Sequence, residues 1–134
     1  MSLNRKESGF TLLEILIAML IFSIGLLAMA RLQMEMTRGN AASKRITTAT
    51  LLAEDKIEEL KASGFGTLIN NTYTDPNNPV TPLGSSGGLY TRTWTIADYE
   101  GVTTMKQITV TITWSDEMGA HTLPLTTVVS NTGG

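Results

Sequence analysis

The sequence predicts an α+β fold in which one long N-terminal helix packs on a small antiparallel sheet of about three to four strands. Three observations carry this expectation. An apolar run from Phe10 to Ala30 passes without a turn signal into a second stretch whose apolar residues recur at intervals of three and four. From Leu89 onward the period changes to two, with threonines alternating against large apolar residues. Only short polar links separate the alternating segments, which favours antiparallel neighbours.

In the first stretch, 17 of the 21 side chains from Phe10 to Ala30 are apolar and only Glu14 is charged. As a helix these residues extend about 31 Å at ~1.5 Å per residue, enough to cross a bilayer core. Arg5 and Lys6 precede the run and Arg31 follows it directly. A secretory signal is one explanation, with Ala28-Met29-Ala30 as the cleavage site and a small binding domain released after Ala30. Two features oppose it: Glu14 falls inside the would-be apolar region, and helical periodicity continues past the proposed cut. A carboxylate at the bilayer centre costs about 2.5 to 3.5 kcal/mol, less near an end, so Glu14 needs a partner. A cut between Gly9 and Phe10 would supply one, because the new α-amino group is cationic at neutral pH and lies one turn from Glu14. That pair can close at i, i+4 within one chain or between neighbouring chains. Ser23 and Gly25 mark the weakest point of the run, either a place to bend or a small-residue contact between helices. Ser8 or its predecessors would cap the uncleaved helix, a cap that cleavage removes.

Gly9-Phe10-Thr11-Leu12-Leu13-Glu14, after a short basic leader and before an apolar run, resembles the prepilin cleavage and methylation motif of type IV pilins and of the pseudopilins of type II secretion. The resemblance implies a pilin-like fold, cleavage after Gly9 by a membrane-embedded prepilin peptidase, N-methylation of Phe10, and a role for Glu14 in assembly through the terminal amine of an adjacent subunit. The continuation Ile24-Gly25-Leu26-Leu27-Ala28-Met29-Ala30-Arg31-Leu32-Gln33 is similar to the PilV-type minor pilins, or pilus modification proteins. Major pilins commonly carry a helix-kinking proline where this chain has Arg31, which argues against the main structural subunit. The resemblance thus implies a minor pilin, with a type II pseudopilin as the alternative. It further implies, as partners, a major pilin, other minor pilins, the inner-membrane pilus assembly machinery and membrane lipid. The expected location is the inner membrane, with the N-terminus cytoplasmic and the body periplasmic, and then the pilus at the cell surface.

The expected division is a leader at 1–9, a transmembrane and assembly half of the helix at 10–30, an amphipathic half at 31–62, and a loop and sheet completing the globular body at 63–134. Leu32, Met36, Gly39, Ala42, Ile46, Ala49, Ala53, Ile57 and Leu60 make the expected stripe, and its segment from Ala42 to Leu60 should meet the sheet. Lys61 suits the helix end and Ser63-Gly64 stops it, so one helix is expected from about residue 9 to 62. Residues 64 to 88, with prolines at 76, 79 and 82, read as a long connection. Asp75, Asn77 and Asn78 lack the ordered ligand pattern of a calcium loop and suit turn chemistry. Candidate strands are Leu89 to Ile96, Ile108 to Trp114 and Leu123 to Val129, linked at Glu100 to Thr104 and Ser115 to Ala120. Pro124 confines the last to a sheet edge or a strand start. Trp94 and Trp114 fall on the apolar face and are expected in the core.

The formal net charge of −2 and the scattered Lys and Arg give no surface for a phosphate backbone, so no nucleic-acid contact is expected. With no cysteine and a solitary His121, neither a disulfide nor a zinc site can be assembled. No acid, base and nucleophile combination suggests catalysis, and neither a cofactor nor an enzyme activity is expected.

Overall fold

The computed structural model describes residues 9–131. The chain divides into two compact units between Ala42 and Ser43, and the first helix, α1 (Leu12–Ala62), contributes to both. The long α1 arises from a run rich in Leu, Ile, Met and Ala, with no proline and only Gly25 and Gly39 inside it. It stops where Ser63 and Gly64 donate their backbone N–H groups to the carbonyls of Glu59 and Lys61, Gly64 having a φ of 92°. A left-handed residue there closes the last turn without a Cβ penalty.

In the first unit every described side chain from Phe10 to Ala41 is exposed, including large ones such as Leu13, Leu20, Phe22 and Leu27. The expected stripe therefore needs correction. Leu32, Met36 and Ile46 face solvent and Ala42 is only half-buried, so burial of α1 begins at Ala49. The buried positions are Ala49, Leu52, Ala53, Lys56 and Ile57. Leu52 and Lys56 belong to this face although the expected stripe omitted them. Full burial on the helix thus starts within the second unit, after the half-buried Arg45 and Thr48.

Among the described residues the second unit holds four strands, β1 (Asn71–Thr74), β2 (Thr91–Tyr99), β3 (Val102–Asp116) and β4 (Gly119–Ser130). They pair antiparallel in the order β1-β2-β3-β4. The expected long connection thus contains a 3-10 turn at Phe65–Thr67 and the strand β1, followed by a loop pinned through bridges from Val80 to Ser86 and Tyr90. The links are also tighter than expected. Glu100 and Gly101, with φ of 50° and 80°, make a two-residue turn whose twist suits a hairpin. Pro124 sits within β4, opposite Thr111, and β4 is an edge strand as its missing N–H requires.

Strand alternation then builds the core. Trp94 and Ile96 of β2, with Ile108, Val110, Ile112 and Trp114 of β3, join Ala49, Leu52, Ala53 and Ile57 of α1 in one hydrophobic cluster, closed by Leu68, Val80 and Tyr90. Each fully buried Leu, Ile or Val contributes about 1.5 to 3 kcal/mol, and the two alanines let the helix backbone approach the sheet. The threonines of the opposite face form rows across the strands, with Thr72 paired to Thr95 and Thr109 to Thr126 through hydroxyl contacts of 3.0 Å each.

Buried and half-buried charge groups stitch this unit. Arg92, on the core face of β2, donates from Nε to Asp75 Oδ2 at 2.7 Å and from Nη1 to the Leu52 carbonyl of α1 at 3.2 Å. Its backbone is clasped by the Asn78 side chain, which accepts from the Arg92 N–H and donates to the Arg92 carbonyl, each at 2.8 Å. Burial pushes the Asp75 carboxyl up, but the Asn77 N–H, the Arg92 guanidinium and Lys56 outweigh it, leaving the group below the ordinary carboxylate range. Asp75 does form the expected turn, accepting the Asn77 N–H at 2.9 Å. Its larger task, partnering a buried cation, was not anticipated.

Lys56 lies 4.1 Å from the Trp94 ring centroid and donates to Glu59 at 2.9 Å. Trp94 in turn stacks on Tyr73 of β1, which helps hold that short strand in place. At the far end of the β3-β4 hairpin, Asp116 accepts from Arg45 of α1 at 2.8 Å and contacts His121 Nε2 at 2.9 Å. The His121 ring stacks on Trp114. The histidine hydrogen bond, then the Met118 N–H, holds Asp116 down at about 2 against the opposing effect of burial, with Arg45 adding to the lowering.

Candidate functional site

The site begins with Gly9 and Phe10, which precede the helix and carry no regular structure. A Cβ placed on Gly9 would meet nothing within 4 Å, so the fold itself makes no demand for glycine there. Any such demand comes from a molecule that reads the segment from outside. Phe10 is 84% exposed.

Thr11 and Glu14 then close a reciprocal cap. The Glu14 N–H donates to Thr11 Oγ1, and the Thr11 N–H donates to Glu14 Oε2, both at 3.2 Å. This is the capping-box arrangement of a Thr three residues before a Glu, and it satisfies two backbone donors at the helix start. The sequence carried that signal in Thr11-Leu12-Leu13-Glu14, but the expectation had placed the cap on Ser8, which lies outside the described residues, as do Arg5 and Lys6. The consequence is functional as well as structural. Thr11 lies beyond the Gly9-Phe10 bond, so the cap survives a cut there.

The carboxylate of Glu14 is therefore turned back toward the N-terminal end of α1, where the helix dipole and free N–H groups favour negative charge. It lies one residue from the nitrogen that a cut would expose on Phe10. Phe10, Glu14, Ile15, Ala18, Met19 and Phe22 line a shallow groove on this face, with one charge among five apolar side chains. Farther along, Ser23 Oγ donates to the Met19 carbonyl at 2.7 Å, and the helix runs unbroken through Gly25. The hydroxyl bond to the preceding turn replaces water as partner, which suits a polar side chain in an apolar stretch. The helix is long and apolar enough to cross a membrane, and none of its apolar window is buried by the protein.

Residues 4–30 match the family model of the prokaryotic N-terminal methylation motif. This type IV pilin-type prepilin signal supports a type IV pilin-like protein, and the α+β arrangement of a long helix on a four-stranded antiparallel sheet is pilin-like. The motif spans Gly9, Phe10, Thr11 and Glu14, the residues gathered at the helix start, and extends to the end of the apolar run. With the exposed apolar helix, it is consistent with membrane anchoring and implies pilus-assembly partners in general. No curated protein and no solved structure gives a significant match to the chain.

Elsewhere, the residues expected in the core are there: Trp94 and Trp114 are buried. Among the described residues no three His, Cys, Asp or Glu side chains come together as a metal site would require.

Proposed function

We propose that this chain is a non-catalytic minor pilin of a type IV pilus, of the PilV type, held in the inner membrane before it enters or primes a filament. The observation that carries this reading is an exposed apolar run from Phe10 to Ala30 whose single charge, Glu14, folds back over the helix start beside the peptide bond that the motif marks for cleavage.

On this reading the basic leader stays cytoplasmic and the body faces the periplasm. Prepilin peptidase cuts after Gly9 and the Phe10 nitrogen is methylated, which leaves a cation beside the carboxylate. Moving an apolar helix from lipid into a bundle of like helices changes little hydrophobic free energy, because both surroundings are dry. Selectivity then comes from neutralising Glu14 and from packing the apolar side chains between residues 32 and 46. Leu32, Met34, Met36 and Ile46 all stand exposed, which fits that role. The filament neighbours are a major pilin and other minor pilins, delivered by the inner-membrane assembly machinery.

Mass spectrometry of the mature N-terminus provides the direct test. An N-methylated Phe10 supports the filament reading, whereas a chain beginning at Arg31 overturns it. Glu14→Ala should insert and be cleaved normally but enter pili poorly, and normal incorporation would remove Glu14 from the mechanism. Deletion of the gene should abolish or alter surface pili. Loss of exoprotein release with intact pili would reassign the chain to the pseudopilins.

A further inference from the structure

Three surroundings succeed one another along α1. Up to Ala30 its side chains are apolar and exposed, suited to lipid, where an unpaired backbone group is so costly that a helix stays closed. At Ala49, Leu52, Ala53, Lys56 and Ile57 the helix is held by burial in the second unit. Between the two, every residue from Arg31 to Ala41 is exposed, and none up to Thr48 is more than half-buried. Among the described residues Arg45 is the first of α1 to hydrogen-bond another element. A helix without packing is marginal in water, so this stretch depends on its own propensity.

Propensity is weakest at its centre. Leu26 to Met36 consists entirely of Leu, Ala, Met, Arg, Gln and Glu, the strongest helix formers, whereas Thr37-Arg38-Gly39-Asn40-Ala41-Ala42-Ser43 holds a glycine, an asparagine, a threonine and a serine. A Cβ added at Gly39 would meet nothing within 4 Å, so no close approach asks for glycine there. What it contributes is backbone freedom. Asn40 beside it competes for backbone hydrogen bonds. The hydroxyls of Thr37 and Thr47 donate to the Gln33 and Ser43 carbonyls at 2.9 and 3.0 Å, contacts that weaken and bend helices. Gly25 is just as open, but it lies inside the apolar run, where dry surroundings keep the turn closed. The division of the chain into two compact units falls in the same stretch as Gly39.

We propose that residues 37–43 form a joint, a part of α1 that opens and recloses in water so that the body can swivel on an anchor held in lipid. Water satisfies the backbone groups that opening frees, and neither the buried core nor the apolar run is disturbed. The use as a joint rests on the membrane anchoring of the apolar run; the opening itself does not.

Amide exchange of the full chain in lipid nanodiscs, read by mass spectrometry, tests this. Residues 37–43 should exchange about tenfold faster than the equally exposed residues 31–36, and the double variant Gly39→Ala/Asn40→Ala should slow them by about tenfold while leaving residues 49–57 unchanged. Equal rates in the two stretches, or no slowing in the variant, overturns the proposal. Fast exchange throughout residues 12–30 would remove the anchor and with it the swivel, a failure distinct from that of the opening. The chain has no cysteine, so spin labels at Gln33→Cys and Leu51→Cys, both exposed positions, report on the same stretch. Their separation should be broad in the otherwise unchanged chain and narrow toward about 27 Å, the span of an unbroken helix, when Gly39 and Asn40 are replaced. One narrow distance in both chains overturns the joint.

Discussion

The two units of this protein use apolar side chains in opposite ways. In the second, residues such as Leu52, Ile108, Val110 and Ile112 are buried almost completely and hold α1 on the sheet. In the first, the described residues from Phe10 to Ala41 include side chains at least as apolar, and all of them are exposed. Both runs look hydrophobic in sequence, yet only one serves the fold. Exposed contiguous apolar surface on this scale marks a lipid or protein contact. The difference separates what the chain needs in order to fold from what it offers to its surroundings.

Substitutions in the two units should therefore diverge sharply. Arg92→Leu strands Asp75 without its buried partner, and should cost the second unit about 3 to 5 kcal/mol. Chemical denaturation of the full chain in detergent, followed by tryptophan fluorescence, would show it, since Trp94 and Trp114 both lie in that unit. An unchanged midpoint would mean the pair is not closed in solution. Ile112→Ala, which empties a fully buried site, should cost about 2 to 5 kcal/mol by the same assay. Leu20→Ala should leave the midpoint alone, because its side chain touches no part of the core, while reducing membrane partition. A matching loss of stability in both variants would dissolve the distinction between the units.

A smaller effect belongs to the helix start. Thr11→Ala removes one arm of the cap and should cost about 1 kcal/mol of local stability, read as faster amide exchange in the first turn alone. The smallest effect concerns the hairpin clasp. Asp116 is held down at about 2 from an ordinary 3.8, so its stabilisation is fully present above pH 3.8 and is lost as the pH falls through about 2. Thermal melts of the wild type and Asp116→Asn should thus differ at neutral pH and converge in strong acid. A constant gap across that range would exclude the carboxylate as its source.

Much of this organisation was legible in the sequence. The apolar run, the switch to period two after Leu89 and the edge position of Pro124 all follow from local chemistry, and the structure places them as expected. The expected stripe runs too far because Leu32, Met36 and Ile46 keep the helical spacing while their side chains stand exposed; periodicity records a face but not what covers it. β1 has no periodic signal, because Asn71-Thr72-Tyr73-Thr74 is short and sits among turn-forming residues, held by Tyr73 on Trp94 rather than by a run of its own. Alternation put Arg92 on the core face, yet its partner Asp75 lies in a loop with no periodicity to point at it. At the N-terminus, the threonine to glutamate spacing signals a cap, and the same Glu14 that closes it is also the one charge of the apolar run.

Pro124 has a further bearing on how such bodies behave when crowded. A strand at the margin of a sheet offers free amide and carbonyl groups to any similar strand nearby. Midway along β4, the pyrrolidine ring leaves a gap in that row, so a second sheet cannot zip on continuously. Molecules kept at high density can then remain separate along this border and reserve their association for the greasy rod.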